Sequence, residues 1–85
     1  MYFVYILESL KDHNLYTGYT FDLANRLKAH NSGKVKSTQK RRPFELVYHE
    51  EAATLAQARR REGKLKSLRG GVVKRELVNN FNARP

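Results

Sequence analysis

The chain has 85 residues, 40% of them hydrophobic, and this length predicts a single domain over residues 1–85. No apolar run approaches the roughly 18 residues of a membrane-spanning helix, which excludes a membrane protein. Cysteine is absent, which excludes disulfides and thiolate metal sites, and no signal-peptide pattern precedes the first strand, which favours the cytoplasm. Seventeen Lys and Arg residues against eight Asp and Glu give a net charge of +9, which favours a nucleic-acid partner over a membrane.

The first eighteen residues predict a β-hairpin. Tyr2 to Leu7 are apolar or aromatic at every position, which is typical of a strand covered on both faces. A polar loop follows, and Leu15 to Gly18 form the second strand. Because paired strands lie about 5 Å apart, Tyr5 and Tyr16 are expected to converge on one spot.

The first helix is predicted to begin at or near Thr20, whose hydroxyl can cap free backbone amides. Asp22 suits the positive end of the helix dipole. Leu23 and Leu27 form the stripe that faces the core. Residues 31–33 (Asn-Ser-Gly) end the helix, with the glycine as a left-handed C-cap.

Arg26 and His30 lie four residues apart and therefore share one face of this helix. On a helical wheel that face lies beside the leucines and not opposite them. The pair is therefore expected at the edge of the core, facing the sheet. The ordinary alternative for His30 is a helix-end residue whose positive charge suits the dipole.

Residues 34–43 predict a loop that binds phosphate, because basic side chains alternate with small hydroxyl and amide side chains and no acid occurs between Asp22 and Glu45. The proposed nucleic-acid contacts are Lys34, Lys36, Lys40, Arg41 and Arg42. The alternative is a mobile surface loop, and the two interpretations agree if the loop orders only on nucleic acid.

A third strand is predicted over Phe44 to Glu50, with Phe44, Leu46 and Tyr48 on one face. Pro43 stands at its start, where a missing amide donor does little harm.

A second helix is predicted from Thr54 to Leu68, with Leu55, Ala58 and Leu65 as its buried stripe. Glu62 continues that stripe, and an inward carboxylate is costly unless it is paired or binds a metal. Two readings stay open: a buried ion pair with Arg26, and a ligand for Mg²⁺, which prefers hard oxygen donors.

Gly70-Gly71 is expected to break the second helix. A short third helix then runs from Val72 to about Phe81, with Val73, Leu77 and Phe81 buried, and residues 83–85 are expected to fray. The predicted fold is α+β, a three-stranded antiparallel sheet flanked by helices in the order β-β-α-β-α-α, with its core over residues 2–81.

These residues resemble a known family. Phe3-Val4-Tyr5, followed after ten intervening residues by Tyr16-Thr17-Gly18, resembles the paired signature of the GIY-YIG nucleases, above all their small stand-alone bacterial members. Phe3, Val4 and Thr17 stand where the signature has Gly, Ile and Ile, changes that affect strand packing more than chemistry. The resemblance covers about residues 2 to 81.

The resemblance implies a catalytic set that follows in family order: Tyr5, Tyr16, Arg26, His30, Glu62 and Asn79, with Asn80 as the alternative to Asn79. In such an enzyme Tyr5 activates water, while Tyr16 and His30 adjust its proton. Arg26 neutralises the scissile phosphate, and Glu62 holds one Mg²⁺ (or Mn²⁺). Gly18 permits close approach of backbone and helix. Which tyrosine takes the proton stays open.

The leading hypothesis is therefore a metal-dependent DNA endonuclease without a small-molecule cofactor, acting on duplex or branched DNA. The alternative is a nucleic-acid-binding module of the same fold with little or no cleavage. A third hypothesis, a basic RNA-binding or ribosome-associated protein, explains the charge but not an inward Glu62. A protein partner or dimerisation stays open, and binding is expected to weaken steeply with salt.

Overall fold

The computed structural model describes residues 1–67 and 72–82, without the side chains of residues 72, 73 and 82. The elements are β1 (Tyr2–Ser9), β2 (Leu15–Thr20), α1 (Leu23–Asn31), β3 (Phe44–Ala52), α2 (Leu55–Lys66) and α3 (Val72–Asn82). This α+β order confirms the prediction. The expected helix break at Gly70-Gly71, the burial of Val73 and the frayed tail lie outside the described residues.

β1 is the centre of a three-stranded antiparallel sheet with the order β2-β1-β3. Four successive residues of β1, from Val4 to Leu7, are buried, as expected for a strand covered on both faces. The pairing with β2 sets Tyr5 opposite Gly18 and Leu7 opposite Tyr16. The register therefore places Tyr5 and Tyr16 on the same face of the sheet.

The two faces of the sheet have different coverings. We call the face that carries Tyr5 and Leu7 the α1 face, because Leu23 and Leu27 of α1 pack there. We call the opposite face the α3 face; its core includes Val4, Ile6, Tyr48, Ala58 and Leu65, with Val78 of α3. Because side chains alternate along β1, neighbouring residues of this strand lie on opposite faces of the sheet.

A β-bulge in β3 changes one predicted face. Ile6 of β1 pairs with Tyr48, whereas the next residue, Leu7, pairs with Leu46, so Val47 is the extra residue. Leu46 therefore packs on the α1 face and Tyr48 on the α3 face. The predicted alternation of Phe44, Leu46 and Tyr48 onto one face is wrong for Tyr48.

The N-cap of α1 lies two residues after Thr20, the predicted cap. Asp22 is the N-cap, and its carboxylate accepts a hydrogen bond from the Asn25 amide at 3.1 Å. Thr20 instead accepts from the Asp22 amide. At the other end, Gly33 has φ 81°, and its amide and the next one bond back to the last carbonyls of α1 in a Schellman motif. The chain leaves the helix sharply there.

α2 begins at Leu55, one residue after the predicted start, with Thr54 as its N-cap. Ala58 and Leu65 are buried, but Leu55 is 41% exposed, so its predicted burial is wrong. Leu55 is the first residue of the helix. No helix within residues 1–67 and 72–82 is long and apolar enough to cross a membrane.

α3 packs against β3 on the α3 face. Val78 is buried, whereas the predicted core residues Leu77 and Phe81 are half-buried beside it. The Phe81 ring makes an edge contact with the Tyr48 ring at 5.4 Å between centroids. The apolar stripe of α3 is therefore centred one residue beyond Leu77.

Candidate active site

The hydroxyl of Tyr5 is the centre of the candidate site. Tyr5 is only 2% exposed, and its Oη lies 3.0 Å from His30 Nε2. Arg26 Nε donates to the same oxygen at 3.4 Å. The structure thus brings together one residue of the central strand and two that lie one turn apart on α1, as their shared helix face predicted.

His30 is fully buried, and both of its ring nitrogens have partners. Nε2 faces Tyr5, and Nδ1 lies 2.8 Å from Oγ1 of Thr38. His30 does lie in the last turn of α1, as the alternative interpretation expected, but there it is buried and hydrogen-bonded at both ring nitrogens. His30 sits between the strand and the loop that follows α1, because the Schellman turn brings that loop back across the helix end.

Burial and charge keep this cluster in defined protonation states. Burial, with the nearby positive charge of Arg26, lowers the pKa of His30 to about 4, so the imidazole is neutral at pH 7. Burial raises the pKa of Tyr5 and outweighs the Arg26 hydrogen bond, which acts in the opposite direction. The Tyr5 hydrogen bond raises the pKa of Arg26.

The groups around Tyr5 shift its pKa in both directions. Arg26 lowers the pKa of Tyr5, whereas the charges of Tyr16 and Glu62 add to burial in raising it. Tyr5 is therefore a neutral phenol between a donor and an acceptor, not a preformed anion.

Tyr16 joins the cluster through its ring. Its centroid lies 5.0 Å from that of His30 and 6.5 Å from that of Tyr5, both in inclined geometries. The two tyrosines therefore converge as predicted. Tyr16 is half-buried whereas Tyr5 is enclosed, so the two phenols differ in their access to solvent.

Gly18 leaves space for the Tyr5 ring. A Cβ at this position would lie 2.5 Å from Tyr5 Oη and 2.7 Å from Cζ. The group nearest to this position is the Tyr5 side chain of the paired strand. Any larger residue would displace the tyrosine.

Glu62 borders the site from α2. It lies on the stripe between Ala58 and Leu65, and its side chain is 17% exposed. The ion pair described for it joins Oε2 to Lys66 Nζ at 3.2 Å, one turn along the helix. The expected alternative of an ion pair with Arg26 is thus replaced by one with Lys66, whose ammonium lies 6.0 Å from the centroid of the Tyr16 ring.

Asn79 and Asn80 lie apart from the cluster. Both are exposed on α3, which packs on the opposite face of the sheet from Tyr5. The structure therefore brings five of the six predicted catalytic residues to the α1 face and its border with α2, and leaves the asparagine away from them.

The basic loop divides into two kinds of cation. Lys34, Lys36, Lys40 and Arg42 are exposed. Arg41 is half-buried: its Nε forms an ion pair with Asp12 at 3.1 Å, and its guanidinium lies 5.6 Å from the centroid of the Phe44 ring. Arg41 thus stabilises the loop, whereas the other four present their charge to solvent.

The second half of the loop is fastened to the β1–β2 turn. Leu10 donates its amide to the Pro43 carbonyl at 2.8 Å, and Lys11 Nζ donates to the Lys40 carbonyl at 3.2 Å. Ser9, fully buried, donates its hydroxyl to the Arg41 carbonyl. The interpretation of this segment as a mobile surface loop is not supported by these contacts.

Thr38 is the residue of the site that sequence reasoning missed. It was grouped with the small polar residues expected to contact phosphate, yet it is fully buried against His30. Its only signal in the sequence is its position shortly after Gly33, where the chain must turn back over the helix end.

The comparisons with known proteins agree with this geometry. The model of the GIY-YIG catalytic domain matches residues 1–75. A UPF0213 protein of Bacillus pumilus is 48% identical over 67 residues, which are 78% of this chain and 67% of that protein. The UPF0213 protein SH2523 of Staphylococcus haemolyticus is 45% identical over 67 residues, 78% of this chain and 80% of that protein.

A solved structure also resembles the chain. The solution NMR structure of the UPF0213 protein BH0048 from Bacillus halodurans has a TM-score of 0.57 and 40% identity, and the match covers 100% of this chain and 89% of that one. Together with the match of the catalytic-domain model over residues 1–75, this shows that the chain belongs to the GIY-YIG catalytic-domain family, a family of nucleases.

Proposed function

We propose that this protein is a metal-dependent endonuclease that hydrolyses DNA phosphodiester bonds. The observation that carries the proposal is the enclosed Tyr5 hydroxyl, which accepts a hydrogen bond from Arg26 and has the neutral His30 imidazole as its second partner. Phosphoryl transfer requires positioning, a proton acceptor and neutralisation of charge on the phosphate. These three residues supply all of them at one spot.

In this mechanism the proton moves from water to Tyr5 and from Tyr5 to His30. As the water oxygen bonds to phosphorus, its proton goes to Tyr5 Oη, and the Tyr5 proton passes to His30 Nε2. The bond from phosphorus to the leaving 3′ oxygen breaks, and that oxygen takes a proton from solvent. A neutral phenol with a raised pKa can act in this way because it need not ionise beforehand.

Arg26 is placed to meet the scissile phosphate. It is half-buried and lines a surface cavity of about 220 Å³ together with Thr20, Phe21, Asp22, Asn25 and Ala29. Only one of its five N–H donors is used by Tyr5 in the described contacts, so the guanidinium can bind phosphate oxygens as well. The hydrolysed bond would therefore lie beside the Arg26 guanidinium, which also donates to the Tyr5 hydroxyl.

Glu62 is the residue that would hold the metal ion. The described residues contain no group of three or more His, Asp or Glu side chains arranged for a metal. A single carboxylate suits Mg²⁺ or Mn²⁺, since Mg²⁺ keeps several waters and binds through one or two carboxylates plus substrate phosphate. When bound there, the ion supplies charge neutralisation at the leaving oxygen. Lys66, half exposed, must release Glu62 for this to occur.

The test is a nicking assay on supercoiled plasmid and on a branched DNA, with Mg²⁺ or with chelator. Cleavage by the native protein should require the metal. Tyr5→Phe and Glu62→Ala should each lower the rate by about 10²–10³-fold or more, the size of effect seen for proton-transfer and charge-stabilising groups.

Two matched variants control for general damage. Tyr19→Phe removes a phenol from the partly exposed end of β2 on the α3 face, and Glu51→Ala removes an exposed carboxylate from β3. Both should cleave at the native rate. Cleavage that persists in chelator or in Glu62→Ala would contradict the proposal. Tight, salt-sensitive binding without cleavage of either DNA would favour the binding module instead.

A further inference from the structure

Thr38 is the most enclosed polar residue of the basic loop. It has no exposed surface, and two consecutive turns hold its backbone: its amide donates to the Val35 carbonyl at 3.1 Å, and its carbonyl accepts from the Arg41 amide at 2.9 Å. Its side chain therefore points in a fixed direction, into the interior and toward His30.

The Thr38 hydroxyl has two partners that require opposite roles of it. The Val35 carbonyl, 3.3 Å away, can only accept a hydrogen bond, so the single hydroxyl proton is directed there. His30 Nδ1, 2.8 Å away, must then be the donor. This assigns the ring proton to Nδ1 and leaves Nε2 as a bare acceptor.

The rest of the chain of hydrogen bonds follows from that assignment. Tyr5 donates its hydroxyl proton to His30 Nε2 and accepts from Arg26 Nε, so each donor has one acceptor. In the reverse arrangement His30 and Arg26 would both donate to Tyr5 Oη. The buried Tyr5 proton would then be left without an acceptor among the described contacts, which is costly.

We propose that Thr38 is a positioning residue that selects the Nδ1–H tautomer of His30, so that Nε2 is free to take the proton of Tyr5. The proposal deepens the nuclease mechanism above and rests on it for its catalytic consequence. The tautomer itself is a property of the folded protein and does not depend on cleavage. Thr38 touches no reacting atom and acts through the imidazole alone.

The first experiment measures the tautomer directly. Two-dimensional ¹⁵N–¹H NMR of His30 at pH 7, without nucleic acid, should show a protonated Nδ1 and an unprotonated Nε2. Thr38→Val keeps the shape of the side chain but removes the acceptor, so the protonated nitrogen should change wholly or partly to Nε2. Thr38→Ser restores the hydroxyl and should restore the native pattern.

The second experiment measures the rate of DNA cleavage by the same variants. Thr38→Val should lower the rate about 10–100-fold, the range seen when the hydrogen-bond partner of a functional histidine is removed. Thr38→Ser should recover most of it. Thr17→Val is the matched control, since it makes the same substitution at a buried threonine whose Oγ1 has no hydrogen-bond partner among the described residues, and it should leave both the rate and the tautomer unchanged.

The outcomes separate this proposal from the nuclease mechanism. A native protein with its proton on Nε2, or a Thr38→Val variant that keeps the Nδ1–H form, would overturn the role of Thr38 even if DNA is cleaved. An Nδ1–H form that depends on Thr38 in a protein that cleaves no DNA would support the assignment and reject the nuclease. A folded Thr38→Val variant is recognised by an unchanged amide spectrum away from His30.

Discussion

The two faces of the central strand place neighbouring residues in opposite surroundings. On the α3 face, Val4 and Ile6 are fully buried among aliphatic and aromatic side chains. On the α1 face, Tyr5, which lies between them in the sequence, is buried with its hydroxyl in a chain of hydrogen bonds that reaches through His30 to Thr38. Both faces are buried, but only the α1 face encloses a chain of hydrogen-bonded polar side chains.

The difference shows what burial does to each kind of side chain. Apolar groups on the α3 face stabilise the fold roughly in proportion to the surface removed from water. Polar groups on the α1 face stabilise it only if every donor meets an acceptor, and the same enclosure shifts their pKa values. The effect of a substitution on the unfolding free energy should therefore depend on side-chain volume and polarity on the α3 face. On the α1 face it should depend on which hydrogen bonds are kept.

The largest expected effect is the pH dependence of the unfolding free energy that results from the buried His30. Its pKa is lowered to about 4 in the folded protein from 6.5, so between these values the unfolded state binds more protons and stability falls as the pH falls. From pH 7 to pH 4 this contribution amounts to about 3 kcal/mol of unfolding free energy.

Chemical unfolding of the native protein and of His30→Gln at the two pH values checks this. The loss of unfolding free energy between pH 7 and pH 4 should be about 3 kcal/mol smaller in the variant. Equal losses in the two proteins would mean that His30 titrates normally, and the polar chain would then not depend on a neutral imidazole.

The next effect comes from Gly18→Ala, which should disturb the α1 face through sterics alone. The new Cβ would overlap the Tyr5 ring, at a cost of about 1–3 kcal/mol in unfolding free energy, and would shift the hydroxyl away from His30. Gly63→Ala in α2 is the matched control, because a Cβ there meets nothing within 4 Å.

Thermal or chemical unfolding should show opposite signs for these two glycine variants. Gly63→Ala should raise the unfolding free energy by about 0.5–1 kcal/mol, since glycine has a low helix propensity. A Gly18→Ala variant as stable as the native protein, with unchanged NMR signals for Tyr5, would show that the strands can separate at little cost.

The smallest expected effect is an increase in unfolding free energy from Thr17→Val on the α3 face. Thr17 is buried opposite Ile6, and its Oγ1 has no hydrogen-bond partner among the described residues. Removing a buried, unpaired hydroxyl without changing shape should raise the unfolding free energy by about 1 kcal/mol. Thr54→Val, which removes a hydroxyl bonded to the Gln57 amide, should lower it by about 1 kcal/mol. A loss in both variants would contradict the view that a buried hydroxyl stabilises the fold only when it has a hydrogen-bond partner.

Much of the architecture was predictable because β1 is apolar at six successive positions and α1 has an apolar stripe at helical spacing. The bulge at Val47 was not, since Leu46, Val47 and Tyr48 are all apolar and alternation cannot show which of them is extra. The N-cap was predicted only to its neighbourhood, because the side chains of Thr20 and Asp22 can both accept from a helical amide.

The site was predictable to the extent that it depends on local spacing. Arg26 and His30 share a helix face, and that relation alone places both near the sheet. Thr38 was not predictable, because its contact with His30 depends on how a ten-residue polar loop folds back, and no periodicity marks that path. The direction in which the pKa of Tyr5 shifts was not predictable either, because burial outweighs the Arg26 hydrogen bond and the sequence gives no measure of burial.

The bonds that join the basic loop to the β1–β2 turn have a consequence for association with a polyanion. Fixing the backbone of a flexible residue costs about 1–2 kcal/mol, and for the second half of this loop that cost falls on folding and not on binding. The backbone of the exposed cations in that half, Lys40 and Arg42, is therefore ordered before binding, and only their side chains lose freedom on contact. Association should then be governed by electrostatic encounter, with a fast, salt-sensitive on-rate and no slow ordering step.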